Sequence, residues 1–508
     1  MFKNRFLSAL LLFCLTAMTL SGCAGQKPDN NAKQTNTENE TLYSDDGKVL
    51  NIYCWNSEFE ERMTEYYPNY TDNGDGTGSI GDIKVVWTMN PYDDFAYQNA
   101  VDEALLLNMD APADEKIDLF LMEADYILKY VDSDYTLDII NDLGITEDEL
   151  SDQYAYTKEI ATSQDGKLKG TSWQATPGLF AYRRSIARDV LGTDDPEEVQ
   201  KNLSDWDKFE ATAAKAADKG YKMLSGSEDW FRVFSNNITM PWVDDPASPS
   251  PHIQIDDGLL EWADRCRKYY ENGWMGSTAL WSDEWAHDQS AEGKVFGFFY
   301  STWGINFTLL ENAGEEGFGD WAVCEGPASW YWGGTWIAGA RGTDNASLVA
   351  DIMRKFTCDK ENMVAITKGT EDYTNTMSGM EEIAHSDYSS AFLGGQNHIA
   401  MFVEAAPKIK TVISLYDQGC CDAFKAAFAD YITGDISKTK ALHNFYDEAV
   451  ANFPELTYDE IANGIRIRVT ERKAFPVLVT SATEDKCITE TLDVLLAVMP
   501  SADEVNPV

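Results

Sequence analysis

The sequence predicts an α/β fold built around a parallel sheet. The first observation is that strand and helix patterns alternate from residue 49, beginning with an apolar strand at 49–55 and a helical pattern at 57–67. The second is that the next two strand patterns, 83–87 and 117–122, are also followed by helical ones. This alternation is typical of parallel sheets covered by helices. No internal repeat emerges, which excludes solenoids and propellers.

The remaining elements follow from local periodicity and capping signals. The first helix is expected to begin at Ser57, with Glu60 three residues later completing a capping box. Later helices are predicted at 95–107, 124–131, 206–217, 259–270, 348–356, 421–431 and 440–452. Later strands are predicted at 295–300, 322–324 and 336–340.

Composition narrows the classes of function. Of 508 residues, 44% are apolar and 25% are charged, as in ordinary soluble proteins, and the length suggests about three domains or lobes. Acidic residues number 85 against 40 basic ones, a net charge of −45. Such a surface repels phosphate backbones, so nucleic acid is not expected as a partner. Aromatic residues reach 12% and include 15 Trp, which indicates a surface that stacks on flat groups.

The N-terminus predicts export and a lipid anchor. Residues 1–22 combine a basic start, an apolar run at 6–20 and the sequence Leu-Ser-Gly before Cys23, which together are typical of a bacterial lipoprotein signal peptide. Cys23 is then the lipidated residue, and several acyl chains would hold it stably. An ordinary secretory signal with a chance Cys is the alternative. Residues 23–47 are polar and are expected to form a flexible tether.

The cysteines and one glycine-rich loop predict no metal centre. Seven cysteines remain after Cys14 and Cys23, and their spacing matches no zinc pattern. Buried free thiols are expected, with one disulfide possible. The loop at 73–80 places oxygen ligands as a calcium loop does but lacks the terminal Glu, since Lys84 stands there. A solvated turn is the expected structure, with calcium binding left open.

Acidic and aromatic residues follow the predicted strands at the edge where parallel sheets bind ligands. The first strand leads into the segment 55–58, which ends at Glu58, and the third leads into 123–126, which contains Asp125. Ligand contact and capping of the next helix are equally good interpretations of each acid, because acids are favoured in a first helical turn.

Tryptophans recur in short polar, glycine-containing segments. These segments are 171–178, with Trp173 and Gln174, 300–306, with Trp303, and 330–336, with Trp332 and Trp336; a less certain one is 227–232. A sugar has a C–H face that stacks on indole and hydroxyls that bond to amide and carboxylate groups. The segments therefore favour a sugar site, although core packing is the alternative for any single Trp. No catalytic, phosphate-binding or cofactor motif occurs, so no cofactor and no catalytic residue are predicted.

Four segments, in this order along the chain, resemble one family. They are 166–184, 294–306, 326–337 and 391–397, and the similarity covers about residues 46–457. The chain resembles carbohydrate-type extracellular solute-binding lipoproteins of ABC importers, which are similar to maltose-binding protein. The resemblance implies a two-lobed clamp of the periplasmic-binding-protein type, with residues 48–172 and 333–395 in lobe 1 and residues 173–332 and 396–457 in lobe 2. Residues 458–508 depart from the family pattern as a C-terminal extension.

The resemblance also implies a cleft between the lobes and the residues that line it. Glu58 and Asp125 would face the cleft from lobe 1, and the crossings and lobe 2 would supply the rest: Trp173, Gln174, Trp303, Trp332, Trp336 and Asn397. The implied function is a receptor, lipid-anchored on the outer face of the bacterial cytoplasmic membrane, that delivers a mono- or oligosaccharide to an ABC permease. It would not be an enzyme. A surface-anchored glycan hydrolase and an adhesion lipoprotein are the alternatives.

Overall fold

A computed structural model describes residues 42–458 except residues 93, 94, 247 and 249. The signal peptide, Cys23, most of the predicted tether, Cys487 and the extension after Tyr458 lie outside the described residues. No helix within the described ranges is long and apolar enough to cross a membrane.

Ten strands form two sheets. The strands are β1 (Val49–Cys54), β2 (Tyr70–Asp72), β3 (Thr77–Ile80), β4 (Ile83–Met89), β5 (Ile117–Glu123), β6 (Thr171–Ser172), β7 (Gly178–Arg183), β8 (Gly297–Ser301), β9 (Trp321–Cys324) and β10 (Thr335–Gly339). Seven lie in the larger sheet in the order β2-β3-β4-β1-β5-β10-β6, and three form a smaller sheet in the order β8-β7-β9. The parallel pairing predicted from alternation is confirmed for β4, β1 and β5. The other pairs are antiparallel.

Helices cover both sheets. They are α1 (Glu58–Tyr66), α2 (Ala96–Leu107), α3 (Ile127–Val131), α4 (Ala155–Ile160), α5 (Arg184–Leu191), α6 (Pro196–Leu203), α7 (Trp206–Asp218), α8 (Phe231–Ser235), α9 (Asp257–Glu271), α10 (Asp283–Gln289), α11 (Thr302–Gly304), α12 (Leu310–Ala313), α13 (Ala346–Thr357), α14 (Lys360–Thr370), α15 (Met377–Ala384), α16 (His398–Ala405), α17 (Asp417–Thr433) and α18 (Lys438–Asn452). A π-helical turn, Ile305–Leu309, joins α11 to α12. The α/β prediction is confirmed.

The predicted capping box at the start of α1 is wrong. Ser57 makes no side-chain cap bond, and its hydroxyl instead donates to Glu61 at 2.6 Å. The side chain of Asn56 accepts from the backbone N–H of Glu58 at 3.2 Å. The cap therefore comes one residue earlier than the Ser-x-x-Glu pattern indicates.

Two buried clusters meet at the small sheet. Successive side chains of a strand point to opposite faces, and along β7 Leu179 and Ala181 join one cluster while Phe180 and Tyr182 join the other. The first cluster also contains the core of the large sheet. The fold is therefore two-lobed, with one sheet in each lobe and apolar packing that continues from one lobe into the other.

The chain passes between the two sheets through short segments. Residues 173–177 connect β6 to β7, and residues 325–334 connect β9 to β10. The second passage needs glycine at Gly334, whose φ is +111°. Gly178, at the start of β7, permits close packing, because a Cβ there would lie 2.0 Å from Trp330. The predicted lobe boundaries after residues 172 and 332 fall inside these two passages and remain predictions.

The predicted tether ends earlier than expected. Residues 42–47 are hydrogen-bonded to the loop before α13: the Ser44 N–H donates to the Thr343 carbonyl at 2.9 Å, and the Gly47 N–H donates to the Asp344 carbonyl at 2.8 Å. Leu42 and Tyr43 pack against the core. The boundary at residue 47 is therefore wrong for this segment, because polar composition alone did not reveal its backbone partners.

The glycine-rich loop is the turn of the β2–β3 hairpin. Asp72 accepts from the Gly74 N–H at 2.7 Å, and Asp75 accepts from the Thr77 hydroxyl at 2.6 Å. These carboxylates are thus occupied by their own turn. The six cysteines in the described ranges are free thiols, four of them buried.

Candidate functional site

A cavity of about 1160 Å³, here called the cleft, is lined by residues from both lobes. The carboxyl ends of β1 and β5 contribute Trp55 and Glu123. The segments after β8 and before β10 contribute Trp303 and Trp332. The position agrees with the rule that ligands bind beyond the carboxyl ends of parallel strands.

Three tryptophans form one wall of the cleft. Trp281 is 55% exposed, and its ring stacks near Trp303 with centroids 6.3 Å apart and planes 20° apart. Trp332 stands edge-on to Trp303 at 5.3 Å, and the Trp303 Nε1–H donates to the Trp332 carbonyl at 3.0 Å. Flat indole faces are therefore open to the cleft and held in a defined orientation.

Trp281 is held in an unusual backbone conformation. Its φ is +68°, a left-handed value that is uncommon for a bulky side chain. It lies in the loop between α9 and α10, directly before Ser282, whose hydroxyl caps α10 by accepting from the Trp285 N–H at 3.2 Å. Such outliers cluster at binding sites, where the surrounding structure maintains them.

Aromatic groups also face the cleft from the large-sheet lobe. Trp55 follows β1 and packs edge-on against Tyr97 with centroids 5.4 Å apart. Tyr92 follows β4 and is 42% exposed. Both residues line the cleft, so aromatic surfaces are available on each side of it.

A hydrogen-bond network lies at the base of the cleft. The amide nitrogen of Gln174, on the passage between the sheets, donates to Glu58 at 3.1 Å and to Asp372 at 2.8 Å. Asp372 also accepts from the Thr302 hydroxyl, at the start of α11, at 2.8 Å. The network thus joins helices of both lobes through one planar amide.

A charged pair spans the cleft between lobes. Both guanidinium NH groups of Arg232, on α8, donate to the carboxylate of Asp125, at 2.7 and 2.5 Å. The same guanidinium lies over the Trp332 ring, 5.3 Å from its centroid. Arg232 therefore links the acid that follows β5 to the tryptophan wall.

Burial in the cleft changes the acidity of its carboxyl groups. Burial and the nearby Asp372 raise the pKa of Glu58 to about 7, against the lowering effect of Arg62. Burial also raises the pKa of Asp229 to about 7, although the Gly226 N–H and Trp285 bond to it. The pKa of Glu123 is raised by burial and by Asp125.

Asp125 behaves in the opposite way. Burial alone would raise its pKa, but the charge and hydrogen bonds of Arg232 outweigh burial and lower it. Glu123 and Asp125 are therefore a pair of neighbouring carboxyls whose acidities are pushed apart, with the proton favoured on Glu123.

The structure brings five of the predicted site residues together: Glu58, Asp125, Gln174, Trp303 and Trp332 line the cleft. The expectation that Trp173 lines it is wrong. Trp173 is fully buried and stacks on Phe59 with ring centroids 5.2 Å apart and planes 9° apart. Its indole faces α1 and the core of the large sheet rather than the cleft.

Trp336 and Asn397 are also wrong as lining residues. Trp336 is 1% exposed, and its Nε1–H donates to the Thr157 carbonyl at 2.8 Å. Asn397 caps α16, accepting from the Ala400 N–H at 3.3 Å and donating to the Ile383 carbonyl at 3.1 Å. Strand alternation turns one side chain inward, and capping occupies the other.

The cleft contains residues that were not selected from the sequence as site residues. Trp55 and Arg232 lie in the segments 55–58 and 227–232, which composition had already marked. Trp281, Tyr92 and Asp372 line the cleft without a local signal, because each is placed there by loops from distant parts of the chain. No cluster of His, Cys, Asp or Glu that could hold a metal occurs within the described residues.

Comparison with known proteins agrees with this architecture. The family model for bacterial extracellular solute-binding proteins matches residues 81–391, more than half of the chain. A comparison with curated protein sequences finds no match.

Solved structures of low sequence identity share the fold. An extracellular solute-binding protein of family 1 is 19% identical, with a TM-score of 0.64 over 79% of this chain and 99% of that one. An ABC-transporter-associated binding protein from B. animalis subsp. lactis, in complex with beta-1,6-galactobiose, is 16% identical, with a TM-score of 0.61 over 82% and 100%.

The galacto-N-biose/lacto-N-biose I-binding protein from Bifidobacterium longum, in complex with lacto-N-biose, is 14% identical, with a TM-score of 0.60 over 81% and 98%. The two-lobed fold, the cleft at the strand ends and the family match lead to one conclusion: this chain belongs to the bacterial extracellular solute-binding protein family.

Proposed function

We propose that this protein is an extracellular receptor that binds a mono- or oligosaccharide in the cleft and delivers it to an ABC importer. The observation that carries the proposal is the meeting of indole faces with planar amide and carboxylate groups in one cavity between two lobes. Stacking on sugar C–H faces and bonding to neighbouring hydroxyls need that combination. Related structures that bind galactobiose and lacto-N-biose support the same class of ligand.

The proposal assigns a role to each wall of the cleft. Trp281, Trp303 and Trp332 would stack on sugar rings, while Glu58 and the neighbouring Gln174 amide would bond to hydroxyl groups. Asp125 would act mainly through Arg232, because both of its oxygens already accept from that guanidinium.

Delivery would depend on closure of the two lobes about the connecting segments 173–177 and 325–334. A sugar that contacts both lobes favours the closed state, since it makes all its contacts only there. The closed form would be the one that the permease recognises. Lipidation at Cys23 would keep the receptor at the outer face of the cytoplasmic membrane.

A calorimetric and thermal-melt screen against mono- and oligosaccharides tests the proposal. We expect at least one sugar to raise the melting temperature and to change Trp fluorescence, with no release of new reducing ends after prolonged incubation. A panel in which no sugar shifts the melting temperature would overturn sugar binding. Release of reducing ends would instead identify a glycan hydrolase.

A further inference from the structure

The cleft carries a strong excess of acidic groups. Among the described residues that line it, nine are Asp or Glu and three are Arg or Lys. The whole chain has net charge −45, but the cleft matters more for a bound ligand, because charges that line a water-poor cavity are screened less than charges on the open surface.

Two of the cleft's cations are already engaged by acidic side chains. Arg232 makes the bidentate pair with Asp125 at 2.7 and 2.5 Å. Lys425 lies 3.0 Å from Asp422 and 3.6 Å from Glu228. An anionic ligand would have to compete with a carboxylate for either group.

The third cation, Arg62, is also in an acidic setting. Its NH2 group lies 3.5 Å from the Glu58 carboxylate, and Glu61, on the same helix, lines the cleft as well. The Arg62 Nε–H is buried without a hydrogen-bond partner. Arg62 is therefore the position where an anion would gain most, and it is still flanked by two acids.

Protonation does not remove the acidic excess. If Glu58, Glu123 and Asp229, whose pKa values are raised, are counted as neutral, six acids remain against three cations. A ligand carboxylate would also lose water on entering this environment without gaining an unpaired cation in return.

The aromatic surfaces extend over more than one sugar ring. The cavity of about 1160 Å³ exceeds the roughly 300–1,000 Å³ of an ordinary small-molecule site. Aromatic side chains run from the base outward, and Phe307, also lining the cleft, is 66% exposed. A single ring would leave most of these surfaces unused.

We infer that the ligand is an uncharged oligosaccharide and that the cleft rejects acidic sugars such as uronates. This inference rests on the proposed function. The carboxyl groups act as a charge filter, because a like charge beside them costs free energy that a neutral hydroxymethyl group does not.

A matched pair of ligands tests the filter. The neutral probes are maltotriose, cellotriose and β-1,6-galactotriose, and each is compared by calorimetry with its C6-oxidised uronate. We expect uronates to bind at least about tenfold more weakly, with a smaller difference at 1 M salt, where the Debye length is about 3 Å, than at 0.01 M, where it is about 30 Å. A uronate that binds as tightly as its neutral partner overturns the inference and leaves sugar binding intact.

Two charge variants locate the effect. Glu61→Gln with Glu311→Gln removes two exposed acids from the cleft rim. Glu115→Gln with Glu147→Gln removes two exposed acids elsewhere and is the matched control. The first variant should narrow the difference between neutral and acidic sugar, and the second should leave it unchanged. Equal effects would assign the selectivity to net charge rather than to the cleft.

Fluorescence quenching decides the charge filter even if none of these sugars binds. The emission lost in Trp281→Phe reports the exposed indole of the cleft. At low salt, caesium should quench this component more strongly than iodide, relative to acrylamide, and the rim variant should reduce that preference more than the control variant. Equal quenching by the two ions would overturn the filter independently of sugar binding.

Discussion

The tryptophans of this protein fall into two groups that differ in how they are held. Trp173 and Trp336 are enclosed by the core of the large sheet, one stacked on Phe59 and the other bonded to a backbone carbonyl. Trp281 and Trp303 stand at the cleft and keep part of their surface exposed. All four come from polar or glycine-containing sequence. The comparison teaches that local composition does not distinguish an indole that supports the fold from one that faces a ligand.

The largest expected effect separates the core group. Trp173→Ala should lower the free energy of unfolding by about 3–5 kcal/mol, because it leaves a large cavity against Phe59. Chemical denaturation of the unliganded protein measures this. Trp274→Ala, which removes a partly exposed indole outside the cleft, is the control and should cost much less. A small loss for Trp173→Ala would contradict its place in the core.

The Asp125–Arg232 pair supports the tryptophan wall by charge rather than by packing. Asp125→Asn should cost about 1–3 kcal/mol, since it leaves the guanidinium with a weaker partner in a half-buried site. The double variant with Arg232→Gln should recover part of this cost, and a double-mutant cycle gives the coupling. A coupling free energy near zero would mean that the pair does not hold the cleft together.

Removal of a cleft indole should affect binding more than folding. We expect Trp281→Ala to weaken the affinity for a bound oligosaccharide about tenfold, or about 1.4 kcal/mol. The unliganded melting temperature should change little, because the ring is 55% exposed and its φ of +68° is strained. Titration calorimetry and thermal melts measure the two quantities. A large loss of stability with unchanged affinity would place Trp281 in the core group.

The smallest effect is a pH dependence that the neutral core should lack. Burial raises the pKa of Glu58 from 4.5 to about 7, so between these values the folded state binds more protons than the unfolded state. The contribution of Glu58 to stability is therefore greatest below pH 4.5 and decreases as the pH rises towards about 7. Glu58→Gln should flatten this part of the stability profile, measured on the unliganded protein. An unchanged slope would show that Glu58 does not titrate in this range.

Local patterns predicted much of the fold of the described residues. The strands expected at 49–55 and 117–122 are observed as Val49–Cys54 and Ile117–Glu123, and the helix expected at 440–452 is observed as Lys438–Asn452. The β2–β3 hairpin was not predicted, because its strands are three and four residues long and rich in polar or small residues. The cap of α1 was misassigned because two neighbouring residues could each supply it.

The site was predicted less well than the fold. Glu58, Gln174 and Trp303 reach the cleft, but so does Trp281, for which no periodic pattern or strand end gave a signal. Trp173 is the immediate neighbour of Gln174, yet the two side chains point to different environments. Adjacent residues in an extended segment face opposite ways, so a motif that contains both cannot say which of them meets the ligand.

The sequence by itself determined the alternation of strands and helices and the abundance of indole, amide and carboxylate groups, because hydrophobic periodicity and composition are local properties. The tertiary structure decided which of these groups share a cavity. Gln174 meets Asp372 across 198 positions of the chain, and Asp125 meets Arg232 across 107. Contacts at such separations depend on how the two sheets are joined, and that information resides in the packed core rather than in any single segment.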